Sequence, residues 1–133
     1  MTTTEEIDTQ WRRLVQSFAI EPGCPNQNYL QKDGATAIVD LMYEYQEGRT
    51  SEDRELIARV LGRLSDIQVR DFALGVHSSE NREIYWAMWS QLLRLAPKGF
   101  IAPIACIYAS LAYEREEKSV AMEALDKALD DDP

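Results

Sequence analysis

The chain has 133 residues, 45% of them apolar and 28% charged, which fits one globular domain with a hydrophobic core. Its net charge of −9 argues against phosphate backbones and anionic membranes as partners, because basic residues are interleaved with acidic ones and only Arg12 and Arg13 are adjacent. No apolar run approaches the roughly 18 residues of a membrane span, and the acidic start MTTTEEID lacks the regions of a secretory signal, so a cytoplasmic protein is expected.

Helical periodicity covers most of the chain, and sustained strand alternation is absent. The first helix is expected over about residues 5–18. Thr3 and Glu6 form its capping box, and Ile7, Trp11, Leu14, Val15 and Phe18 form its buried face. The segment 19–34 holds two prolines and two glycines and reads as a long loop, either functional or a packed connector pinned by Tyr29 and Leu30. A second helix is expected over about 35–47, with Ala37, Leu41 and Tyr45 on one face and Gly48 as its left-handed stop.

Thr50 with Asp53 is expected to cap a third helix carrying Leu56, Ile57, Val60, Leu61 and Leu64. Ser65-Asp66 opens a short fourth helix, which ends near His77. Ser79 is read as the cap of a fifth, over about 80–96. That helix is apolar around more than half its circumference, so it is either central or carries a patch for a partner. After Pro97-Lys98-Gly99, helices over about 101–114 and 117–131 form an antiparallel hairpin. Ala109 and Ala112 meet Ala121, Ala124 and Ala128 at its seam, and the last helix is expected to bury Val120, Leu125 and Leu129 as well.

This hairpin resembles a tetratricopeptide repeat, with Ala109, Ala121 and Ala128 at the small-residue sites, Leu125 at the large apolar site and Pro133 at the end. Ala105 and Ala112 stand where such repeats carry aromatics. A longer stretch, from Glu52 to Pro133, resembles the C-terminal helical region of an actinobacterial family known as domain of unknown function 4192. The resemblance lies in Asp66 with Val69-Arg70-Asp71, in Ala96-Pro97, in Ala102-Pro103 and in the closing ALDKALDDDP. Members of that family usually place Gly-Asp at the last turn, where this chain has Glu116-Glu117. The resemblance implies a helical fold and brings no activity with it.

No residue pattern here points to catalysis, to a cofactor or to a metal site. His77 is the only histidine, and no second histidine or His-Glu-x-x-His motif accompanies it. It reads as a helix-end residue favoured by the dipole. Cys24 lies in the long loop with no adjacent cation to activate it, Cys106 reads as a small core residue, and both are expected as free thiols. Asp66 and Arg70 are spaced for an i, i+4 ion pair. Tyr85, Trp86, Trp89, Arg70 and Asp71 are the candidate partner contacts, against the alternative that the aromatics are core. Asp130, Asp131 and Asp132 sit where the dipole of the last helix disfavours negative charge, so the exposed flank of the final hairpin is expected to contact a second copy or a basic partner.

The expected fold is all-α, a single helical domain over 1–133 built as a bundle of antiparallel helix pairs with a repeat-like hairpin at 101–133. The expected function is a non-enzymatic protein-protein interaction or scaffolding module, without nucleic acid, membrane or cofactor. The alternatives are a homodimeric regulatory domain and a small-molecule binder or enzyme using the loop around Cys24.

Overall fold

The computed structural model describes residues 3–48 and 53–132. The described residues are all-helical: α1 (Thr4–Ser17), α2 (Gln27–Gln46), α3 (Arg54–Arg63), α4 (Ile67–Gly75), α5 (Arg82–Leu95), α6 (Ile101–Glu114) and α7 (Lys118–Asp131). None is long and apolar enough to cross a membrane.

The first helix starts as its sequence predicts. The Glu6 amide donates to the Thr3 hydroxyl at 3.1 Å, and the Thr3 amide donates to the Glu6 carboxylate at 3.3 Å. Asp53 caps α3 by accepting from the Leu56 amide, while Thr50, Glu52 and Pro133 lie outside the described residues. Ser79 does not cap α5. The N-cap there is Asn81, whose side-chain oxygen instead accepts from the Ser78 amide and holds the preceding turn.

The largest departure is α2, which begins at Gln27, within the stretch expected to be loop. Gly34 lies inside the helix because a β-carbon there would sit 2.9 Å from Arg63 Cβ and 3.0 Å from Val69 Cγ2. The packing of α2 on α3 and α4 thus overrides the low helix propensity of glycine. The connector that remains, residues 18–26, is pinned by buried Ile20 rather than by Tyr29, whose side chain is exposed.

Asp66 ties this connector region to the bundle. Its carboxylate accepts from the Gln68 and Val69 amides at the start of α4 and from the Gln27 and Gln31 side chains of α2. Arg70 is not its ion-pair partner. The Arg70 guanidinium donates to the Leu64 and Ser65 carbonyls and closes the end of α3. Burial alone pushes the Asp66 carboxyl up, but the donors from Gln31, Gln27, Val69 and Gln68 outweigh it and hold the group below the usual aspartate range. A carboxylate lowered in this way stabilises the fold fully above its unfolded value, about 3.9. That stability is lost as pH falls through the lower folded value. Acid unfolding followed by circular dichroism should therefore show a smaller pH-dependent loss of stability in Asp66→Asn than in the unaltered chain. Equal pH dependence in the two would remove Asp66 from the acid response.

The main core joins α2, α3, α5 and α6 through Ile38, Leu41, Leu61, Met88, Trp89 and Ile104. α5 is central in the described bundle, packed on both α2 and α6. α7 packs almost wholly on α6 across a second, small-residue cluster of Ala109, Ala112, Ala121 and Ala124.

Candidate interaction surface

The hairpin of α6 and α7 owes its close approach to alanine. Ala105, Ala109 and Ala112 on one helix and Ala121, Ala124 and Ala128 on the other are all buried. The turn between them reverses at Glu116, with φ 62, in the left-handed region that favours glycine. The Glu117 amide then donates to the Ala112 carbonyl at 2.9 Å, closing the end of α6.

The other end of the hairpin is closed by Asp131. Its carboxylate accepts from the Gly99, Ile101 and Ala102 amides at 2.7, 2.9 and 3.0 Å. These are the orphan donors at the start of α6, where negative charge is favoured. The expectation of an electrostatically disfavoured last turn is therefore corrected at Asp131, because the positive end of the neighbouring helix receives its charge.

With both ends closed, α7 has two flanks. Val120, Ala124 and Lys127 border a cleft shared with Ser90 and Leu93 of α5. On the opposite flank Met122, Leu125 and Leu129 recur at i, i+3 and i+7 and are 59%, 40% and 63% exposed. Leu125 and Leu129 are thus surface residues, not the buried ones the sequence suggested. On α6, Tyr113 (65% exposed) and Cys106 are exposed as well. Cys106 is accordingly not a core residue. Met122, Leu125 and Leu129 make an apolar strip along the outward flank of α7. Between residues 101 and 132 eight carboxylates stand against three cations. Arg115 is occupied by Glu83 and Glu117, which leaves a mainly acidic border.

The aromatic residues weighed as partner contacts or core lie mostly elsewhere. Tyr85 and Trp89 are 0% exposed, packed edge-to-face at 5.7 Å, and the Tyr85 hydroxyl donates to the Ala73 carbonyl. They are core, because α5 is enclosed on both sides. Trp86 is half-buried, stacked on Tyr108 at 4.3 Å with the Arg115 guanidinium 4.5 Å from its ring. Arg70 serves α3 as described, and Asp71 is exposed without joining the other candidates. The structure therefore does not bring these five residues into one surface.

His77 pairs with Glu114. Its Nε2 lies 3.0 Å from Glu114 Oε2, and its ring stacks on Tyr85. Cys24 is half-buried against the core, its amide donating to the Glu21 carbonyl. Both cysteines are free.

The outward strip carried a signal in the sequence. Ala121, Ala124 and Ala128 already complete one i, i+3, i+7 stripe for the seam, so a second stripe of the same spacing has to face something else.

Among protein families, the one described as Domain of unknown function (DUF4192) matches residues 1–133. The match thus extends upstream of Glu52, where the resembling segments begin. No curated protein and no solved structure matches the chain.

Proposed function

The chain belongs to the DUF4192 family, and we propose that it is a non-enzymatic interaction module whose docking face is the outward strip of the α6–α7 hairpin. The observation that carries this reading is the exposed stripe Met122, Leu125 and Leu129, three apolar side chains 59%, 40% and 63% exposed on one flank of α7. Contiguous apolar patches on small proteins mark interaction sites, and a stripe of this spacing suits an amphipathic helix. The acidic border selects the occupant: a partner helix flanked by lysine or arginine. A second copy of the chain would set two acidic borders against each other, which opposes self-association.

The test uses a fluorescent helical peptide with leucine on one face and lysine on its flanks, and a matched peptide with glutamate for lysine. The lysine peptide is expected to bind, to weaken as salt rises, and to lose at least about tenfold in affinity, 1.4 kcal/mol, in Leu125→Glu/Leu129→Glu. The protein should scatter light as a monomer throughout. Peptide binding unaffected by the double variant would overturn the reading. A dimer that the same variant dissociates would replace the basic helix by a second copy.

A further inference from the structure

A basic concave surface of this acidic protein lies away from the hairpin strip and shares no residue with it. A cleft of about 610 Å³ opens between the middle of α1, the start of α3 and the end of α5. Arg12, Arg54, Arg94 and Lys98 line it, against only Glu5 and Asp8. These positions are scattered across the sequence, and the fold gathers them.

None of the four cations has a carboxylate within ion-pair distance among the described residues, although the chain carries 23 acidic side chains. Three arginines elsewhere are matched by carboxylates. Arg59 and Arg63 share Asp33, and Arg115 sits between Glu83 and Glu117. Like charges gathered in a concavity repel one another and focus a positive potential that an incoming anion relieves.

The cleft also has apolar walls. Trp11, Leu95 and Pro97 line it, with Ile7 exposed at its rim. The Trp11 indole N–H donates to the Leu95 carbonyl at 2.7 Å, which fixes the ring as a wall, and the Arg54 guanidinium lies 4.7 Å from its centroid. A fixed aromatic plane, apolar neighbours and unmatched cations within a volume of small-ligand size are the parts of a ligand site.

We propose that this cleft binds a small organic anion that joins a flat apolar body to a phosphate or carboxylate group. The body lies against Trp11 and Pro97, and the anionic group meets Arg54, Arg94 and their neighbours. Its size favours a small molecule over a longer acidic segment.

The test follows the Trp11 indole N–H resonance during titration with 1-naphthyl phosphate, 1-naphthoate, neutral 1-naphthalenemethanol and inorganic phosphate. Saturable shifts are expected with the two aromatic anions, their ratio telling whether phosphate or carboxylate is preferred. The neutral compound and inorganic phosphate should bind at least about tenfold more weakly, since each supplies half of the recognition. Arg54→Ala/Arg94→Ala should weaken naphthyl phosphate by at least about tenfold, and Glu5→Gln/Asp8→Asn should tighten it. All substituted side chains are exposed, so the remaining spectrum should be unchanged. No saturable shift with either aromatic anion, or affinity indifferent to both pairs of substitutions, would overturn the proposal. So would an acidic, phenylalanine-containing peptide that outcompetes both small anions, which would make the cleft part of a protein interface.

Discussion

Trp89→Ala is expected to destabilise the protein by about 3–5 kcal/mol, the range for deleting a large aromatic from a packed core. The side chain is fully buried in the middle of α5, the helix that joins α2 to α6, and it meets Tyr85 edge-to-face. Its removal leaves a cavity at the centre of the bundle and withdraws an aromatic contact that adds to area burial. Domains of this size are stable by only about 5–15 kcal/mol, so the loss takes a large share of the total. Urea unfolding should show a lower midpoint with little change in slope. Trp86→Ala, which removes a half-buried ring, should cost less. A loss at Trp89 below that at Trp86 would mean that α5 is not the central element described.

The same helix shows what the sequence could and could not reveal. Its wide apolar arc left two readings, a central helix or a sticky one, because periodicity reports how much surface is apolar and not what covers it. Tyr85 and Trp89 belong to the first. An exposed apolar face is instead on α7, where two stripes of equal spacing lie side by side and only the three-dimensional packing selects the alanines for the seam. Helix starts were legible where a side chain caps them, as at Thr3, Asp53 and Asp66. The start of α2 and the cap of α5 were not legible, since Asn26 and Asn81 make no side-chain bond to the first turn. The starts of α6 and α7, equally without a side-chain cap, were marked by the break at Pro97-Lys98-Gly99 and the turn at Glu116. The cationic cleft left no local signal at all, because its four cations come from three helices and a turn.

The hairpin strip and the cleft make different demands on the fold. The strip needs only α6 and α7 to stay paired, through the alanine seam and the Asp131 carboxylate. The cleft needs α1 held against α3 and α5, and that docking depends on one glycine.

Gly62→Ala is expected to cost about 2–3 kcal/mol, the overpacking penalty exceeding the roughly 1 kcal/mol that alanine gains over glycine in a helix. A β-carbon at this position would press on the Val15 carbonyl oxygen and lie 2.6 Å from Phe18 Cβ. The first of these is backbone and has no rotamer to escape into, so α1 must move off α3. Gly34 provides the control. A β-carbon there meets Arg63 Cβ at 2.9 Å and the Val69 methyl groups at 3.0 and 3.1 Å, longer approaches than those to the Val15 oxygen and Phe18 Cβ at Gly62 and none of them to a backbone atom. Gly34→Ala should therefore cost less than Gly62→Ala in the same urea titration. Displacing α1 also draws Trp11 away from the Leu95 carbonyl, so the Trp11 indole resonance should shift in Gly62→Ala and stay in place in Gly34→Ala. Equal stability of the two variants, with the indole resonance unmoved in both, would show that α1 is not seated on Gly62 and that the cleft wall is held by other contacts.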